Sequence, residues 1–189
     1  MVFGAVAAIG QKNLKRLMAY SSISHMGFAL AGLAVGTNEG IQSSLIYISI
    51  YLLMNLAFFS CLFMLKRNDI YHEDLSDLSG LSKNHPILAL CLLISLFSLA
   101  GIPPLAGFFA KFYIFLAVIK EEMYFLAIVG LLSTVVAAFY YLRVIKTIYF
   151  DSQTEKFDIN HDIGLKISLL VSTVIILFYF IYPSPLQAI

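Results

Sequence analysis

Charge is what this sequence has least of. Only 12% of its 189 residues are Asp, Glu, Lys or Arg, against about 25% in an average soluble domain, which excludes an ordinary soluble globular fold. Cysteine is nearly absent too. The two present, Cys61 and Cys91, both fall inside apolar runs, with neither metal-ligand spacing nor a disulfide framework. No glycine loop is built to cradle phosphate, and no nucleophile stands with a base. No cysteine cluster suits iron–sulfur, and no paired histidines suit haem. These gaps exclude redox chemistry by the chain itself. No patch of interleaved basic and aromatic residues suggests nucleic acid. The formal net charge of +1 says nothing about partners, because the charges are sorted by side.

What is abundant is apolar: 60% of the residues are hydrophobic and the mean hydropathy is +0.89. The expected class is an all-α polytopic membrane helix bundle, one membrane domain over residues 1–189. Five spans are expected at about 17–36, 44–65, 87–119, 123–142 and 165–182, the last stopped by Pro183 and Pro185. Residues 1–11 are apolar but too short to cross and lack a basic leader region. They read as the tail of a preceding helix, so the chain is expected to be the C-terminal part of something longer. Gln11 to Arg16 reads as a short basic connection and Thr37 to Gln42 as a polar turn. Between Lys66 and His85, the spacing of Ile70, Leu75, Leu78 and Leu81 suggests a short amphipathic helix on the membrane interface.

Basic residues divide by side. Lys12, Lys15, Arg16, Lys66, Arg67, Lys83, Arg143, Lys146, Lys156 and Lys166 share one face, Lys120 stands alone on the other, and Lys111 is left inside the membrane. The positive-inside rule makes the first face cytoplasmic, with the N-terminus inside and the C-terminus outside.

The stretch from Pro86 to Ile119 organises the rest. As one helix it would be roughly 50 Å long, against a hydrocarbon core of about 30 Å. Its middle reads Gly101-Ile102-Pro103-Pro104-Leu105-Ala106-Gly107. Each proline removes a backbone donor and clashes with the preceding turn, and Ile102 is pushed out of the helical region. Two half-helices, about 87–100 and 107–119, are therefore expected, with Gly101, Pro103, Pro104 and Gly107 forming the break. Irregular backbone at membrane depth needs protein or a water-filled cavity around it. Lys111 lies one turn beyond, near the positive end of the second half-helix.

Intramembrane ionisable residues usually face the bundle interior and mark ion or proton paths. Lys111 is thus a candidate proton-relay group, or else a snorkelling structural lysine. His25, one turn after Ser21 and Ser22, is a second relay candidate, or a packing histidine bonded to Ser21 or a backbone carbonyl. Tyr47, Ser49, Tyr51 and Asn55 either carry water chains or bond between helices. Gly27, Gly32 and Gly36 read as close-packing sites, and Arg143 beside Tyr140 and Tyr141 as an interfacial anchor.

The stretch from Asn13 to Phe28, NLKRLMAYSSISHMGF, resembles the signature of the antiporter-like membrane subunits of respiratory complex I and their multisubunit cation/proton antiporter relatives. Three further stretches resemble the family's subunit-N branch, which includes mitochondrial subunit 2. They are Gly80-Leu81 with His85 to Ala89, then Ala100 to Tyr113 (AGIPPLAGFFAKFY), then Tyr140 to Lys146 (YYLRVIK). Subunit M usually has glutamate at the Lys111 position. The resemblance implies proton translocation coupled to quinone reduction elsewhere in a large complex. It also implies a fold of two inverted five-helix repeats, each with a broken helix. Lys111 would match the lysine of the second broken helix and His25 the polar-axis histidine. The chain itself would bind no cofactor; NADH, FMN, iron–sulfur and quinone sites are expected on other subunits. The expected partners are other membrane subunits of complex I, the lipid bilayer and protons, in a bacterial inner (plasma) membrane or an equivalent energy-transducing one. The upstream repeat is missing from this sequence. A cation/proton antiporter subunit and a non-conducting truncated remnant are the alternative readings.

Overall fold

Capping residues decide where the long helices begin. The computed structural model describes residues 1–67, 70–71, 73–152, 157–159 and 162–181. After α1 (Val2–Ile9), the Asn13 side chain accepts from the Arg16 N–H at 3.0 Å and starts α2 (Leu14–Ala34). Thr37 does the same for Gly40 at 3.2 Å and starts α3 (Asn38–Met64). Side-chain oxygens at these positions satisfy first-turn donors that have no helical partner. Lys15, Arg16 and the stretch 38–42 are therefore helical, not the connection and turn that hydropathy suggested. Hydropathy marks where charges begin; caps mark where helices begin.

The interrupted segment is two helices, α5 (Pro86–Ala100) and α6 (Ala106–Lys120), with the break where the prolines put it. Then come α7 (Tyr124–Phe150) and α8 (Ile163–Phe178). Tyr182, Pro183, Pro185 and Lys156 lie outside the described residues. Helices α2, α3 and α7 are long and apolar enough to cross a membrane, and α5 and α8 are shorter apolar helices. Helix α3 is the hub, packed against α2, α5, α6 and α8. Helix α7 turns Phe125, Leu132, Val135 and Phe139 outwards, as a lipid-facing surface would.

The loop after α3 corrects the sequence reading. Among the described residues no single amphipathic helix lies there. Strand β1 (Leu65–Arg67) pairs antiparallel with β2 (Ile70–Tyr71), and its other edge pairs with β3 (Asp158–Ile159), placing Lys66 opposite both Tyr71 and Asp158. A 3₁₀ turn (Leu75–Leu78) and the one-turn helix α4 (Leu81–Asn84) follow. Leu78 and Leu81 are buried in the bundle, and the Gly80 N–H donates to the Thr147 carbonyl at 3.1 Å. The loop is also strapped to α2. The Leu14 N–H donates to the Glu73 carbonyl at 2.6 Å and the Leu75 N–H to the Lys12 carbonyl at 2.8 Å. Hydrogen bonds from Lys15 and then Asn13 hold the Glu73 carboxyl below the usual carboxylate range.

Arg143 is corrected as well. Helix α7 continues two turns beyond it, so it is no interfacial anchor at a helix end. Its guanidinium donates to the carbonyls of Ile9 and Gln11, each at 2.6 Å, and so caps the C-terminal end of α1 with one planar fork. Arg143→Lys is expected to lower stability by about 1–3 kcal/mol, because one ammonium leaves a carbonyl unmet. Thermal unfolding in detergent measures it.

Candidate functional site

The broken helix can be accounted for group by group. Gly101 ends α5 with a left-handed φ of 87°, a conformation glycine adopts without strain. Its N–H donates to the Ser98 carbonyl at 2.9 Å and to the Phe97 carbonyl at 3.1 Å, while the Ile102 N–H reaches the Phe97 carbonyl at 3.0 Å. This is a Schellman-type ending, and it leaves the last two carbonyls of α5 free of intrahelical donors. The Lys111 amine takes both: Nζ donates to Leu99 O and Ala100 O, each at 3.1 Å. The sequence placed Lys111 beside the positive end of the second half-helix. Its stem instead folds back, and the amine meets the negative end of the first.

The two half-helices touch closely where they separate. The Gly107 N–H donates to Ser98 Oγ at 2.9 Å, and that hydroxyl donates to Met54 Sδ at 3.0 Å. The Pro103–Pro104 bond in the elbow is cis. Lys111 is only 4% exposed. Its amine lies 5.4 Å from the centre of the Phe28 ring, within cation–π range. A cavity of about 310 Å³ lies alongside, lined by Lys111, Gly101, Phe108, Phe112, Phe115 and Thr134 among others. A second cavity, of about 320 Å³, lies between α3 and α6 beside the Lys120–Glu39 ion pair.

His25 is 1% exposed and sits in a cage of phenols. Its Nδ1 shares a hydrogen bond with the Tyr47 hydroxyl at 2.7 Å, and its Nε2 one with the Tyr141 hydroxyl at 3.1 Å. The ring stacks on Tyr51 at 4.8 Å. Tyr141 also bonds Ser21, and the Tyr51 hydroxyl donates to Ser22 Oγ at 2.6 Å. The partner expected from spacing, Ser21, thus reaches His25 only through Tyr141. Neither ring nitrogen is spent on a backbone carbonyl, so a proton taken at one nitrogen can be given up at the other.

Lys111 and His25 are not in direct contact. Phe28 stands between them, its ring 6.4 Å from the imidazole and 6.0 Å from Tyr47. Ser49 and Asn55 bond back to their own helix, at Leu45 O and Tyr51 O. Of the four α3 candidates, only Tyr47 and Tyr51 are seen bonding between helices. A Cβ on Gly27 would collide with Met1, and one on Gly32 with the Ser44 hydroxyl, so both are close-packing sites. Gly36 is not: its surroundings are open and its φ is 73°, so it ends α2 as a left-handed turn. Tyr141 was missed as a site residue. An aromatic pair next to arginine reads as a membrane belt, yet Tyr140 and Tyr141 are both fully buried. Cys61 packs in the interior with its thiol donating to Leu88 O at 3.5 Å. Among the described residues no group of three His, Cys, Asp or Glu could hold a metal ion.

A broken apolar helix with a buried lysine can be compared with known proteins. A family model described as NADH:quinone oxidoreductase/Mrp antiporter, transmembrane, matches residues 1–137. The chain belongs to this family. The NADH-quinone oxidoreductase subunit N of Pelagibacter ubique is 74% identical over 189 residues, which is 100% of this chain and 40% of that protein. The subunit N of Parvibaculum lavamentivorans is 54% identical over 186 residues, 98% of this chain and 38% of that one. The subunit-N resemblance read from the sequence is borne out by these relatives, and the chain spans about 40% of the first one's length. A chain of respiratory complex I from Thermus thermophilus, solved with bound aureothin, superposes with a TM-score of 0.80 at 29% identity, covering 99% of this chain and 42% of that one. A chain of the Mrp complex from a Dietzia species shares the fold, with a TM-score of 0.82 at 20% identity over 97% of this chain and 42% of that one. The antiporter-type fold of the family is thus built here around the α5–α6 break and Lys111.

Proposed function

We propose that the chain is a proton-translocating membrane segment of NADH–quinone oxidoreductase, of the subunit-N type. Quinone reduction elsewhere in the complex drives proton transfer through a buried axis that includes Lys111 and His25. One observation carries the reading. A buried lysine is held at the carbonyl end of a broken helix, beside a cavity and next to an aromatic layer that leads to a doubly bonded histidine. A lysine there can hold a proton and pass it on, and an imidazole bonded at both nitrogens can relay one. The chain works with other membrane subunits of complex I in a bacterial inner membrane or its equivalent. NADH, FMN, iron–sulfur and quinone sites belong to those other subunits, and nucleic acid plays no part. The test is proton uptake per NADH oxidised, in vesicles normalised to assembled complex, with Lys111→Ala against the unsubstituted chain. Loss of uptake with assembly retained supports the relay; full uptake removes it.

The distribution of ten basic residues against one supports an orientation with the N-terminus cytoplasmic and the C-terminus outside. Cysteines introduced at Asn38 and Ser152, with Cys61 and Cys91 replaced by alanine, are expected to react with an impermeant thiol reagent from opposite sides. Reaction from the same side contradicts this topology.

A further inference from the structure

A polar cavity on the lysine-rich face has no part in the reading so far. It measures about 470 Å³, and its wall includes Lys12, Asp74, Arg143, Thr147 and Asp151. Its level in the membrane follows from α7. The exposed Glu121 and Glu122 stand just before this helix, and the roughly 20 residues that cross a hydrocarbon core of about 30 Å end near Arg143. The 27-residue helix runs on to Phe150, so Arg143, Thr147 and Asp151 stand at the level of lipid headgroups. The charges in the wall are mixed. Lys12 is exposed, and its ammonium makes no hydrogen bond or ion pair among the described residues. Arg143 uses two N–H groups on α1, and its Nε has no partner among the described residues. Asp74 is exposed and has no ion-pair partner among the described residues, while Asp151 pairs with Lys146 at 3.0 Å.

A groove of about 170 Å³ lies deeper between α1 and α7, lined by Val2, Val6, Val129, Leu132 and Val136 among others. The Ser133 hydroxyl in its wall already donates to the Val129 carbonyl at 2.8 Å, so the groove is apolar in effect. Val2, Val6 and Leu132 are exposed in it. Arg143 lies seven residues past Val136 on α7, about 10 Å along the axis, and Lys12 lies six residues past Val6. The same pair of helices therefore carries a charged cavity at headgroup level and an apolar groove at acyl-chain level.

We propose that the cavity and the groove together bind one phospholipid whose headgroup carries a primary amine, of the phosphatidylethanolamine type. Lys12 and Arg143 hold the phosphate by charge-assisted hydrogen bonds, Asp74 holds the ammonium, and one acyl chain lies between α1 and α7. Charge complementarity selects this headgroup. A purely anionic one would satisfy Lys12 and Arg143 but set its net charge against Asp74 and Asp151. A free phosphate would fill the cavity and leave the apolar groove unexplained. The site involves neither Lys111 nor His25, so it can be tested apart from proton transfer.

The membrane complex that carries the chain is reconstituted in phosphatidylcholine vesicles containing a small fraction of phosphatidylethanolamine with a photoactivatable diazirine in one acyl chain. After illumination, adducts are mapped by peptide mass spectrometry. They are expected on residues 2–6 and 129–136, and unlabelled phosphatidylethanolamine is expected to compete them away better than phosphatidylglycerol does, with inorganic phosphate having no effect. Lys12→Ala is expected to lower labelling about fivefold, the factor that one lysine near a lipid surface is worth. Lys83→Ala, on the same basic face but outside the cavity wall, is expected to leave it unchanged. Asp74→Asn keeps an oxygen to cap the 3₁₀ turn and removes the charge, so phosphatidylglycerol should then compete as well as phosphatidylethanolamine. No adduct on either helix in the assembled complex, or labelling unchanged in Lys12→Ala, overturns the site. Displacement by inorganic phosphate makes it a phosphate site and overturns the lipid. A preference for phosphatidylglycerol in the unsubstituted chain, or an unchanged preference in Asp74→Asn, overturns the amine headgroup.

Discussion

Lys111→Arg is expected to stop proton uptake as completely as Lys111→Ala. The site's geometry alone predicts the opposite. Arginine has more donors than lysine and would hold the Leu99 and Ala100 carbonyls at least as well. If Lys111 only closes the broken helix, arginine is the best-tolerated substitution and alanine costs assembly without lowering uptake per assembled complex. A relay has a different requirement. It must load and unload against a membrane potential that weighs about 2.3 kcal/mol per charge at 100 mV. A guanidinium does not deprotonate in proteins, so it stays charged throughout, and alanine stays neutral throughout. Neither can cycle. Lys111→Glu is expected to keep partial uptake, because a buried carboxylate can also exchange protons near neutral pH. It also loses the bonds to both carbonyls, since a carboxylate accepts and does not donate. The measured order separates the two roles, and unsubstituted levels of uptake in Lys111→Arg remove the relay assignment.

Local features were legible in the sequence and tertiary ones were not. The break could be read because proline and glycine act on their own backbone: Gly101, Pro103 and Pro104 interrupt the helix whatever surrounds them. That a carbonyl would be left unpaired followed from the same rule. Which donor would meet it did not, because the answer needs the fold of the Lys111 stem. His25 shows the limit more sharply. Its neighbours in sequence, Ser21 and Ser22, are not its partners, and its partners lie 22 and 116 residues away. Arg143 looked like an anchor because arginine beside tyrosines usually is one, and only the meeting of α1 with α7 made it a cap. The strap at Glu73 was invisible for a related reason. A loop whose polar groups bond a helix start has the same composition as one that bonds water.

Gly107→Ala is expected to be among the most damaging single-methyl substitutions in the chain. An added Cβ would run into the Ser98 carbonyl and come within 3.0 Å of Met54 Sδ. The first of these is backbone of the last full turn of α5, so no rotamer change relieves it; the half-helices must part. Parting breaks the Gly107 N–H bond to Ser98 Oγ, and it moves Lys111, one turn further along α6, away from the carbonyls of Leu99 and Ala100. Overpacking in a close-packed interior typically costs about 1–3 kcal/mol, and the lost hydrogen bond adds about 1 kcal/mol. The effect should therefore reach both properties at once: a lower unfolding temperature in detergent and less proton uptake per assembled complex. Gly10→Ala supplies the contrast. Its φ is −78° and nothing lies within 4 Å of a built Cβ, so it is expected to be neutral in both. Gly107→Ala that matches Gly10→Ala in stability would mean that α5 and α6 do not meet at Ser98. Gly107→Ala that loses stability but keeps full uptake would mean that the position of Lys111 against the two carbonyls is not what proton transfer depends on.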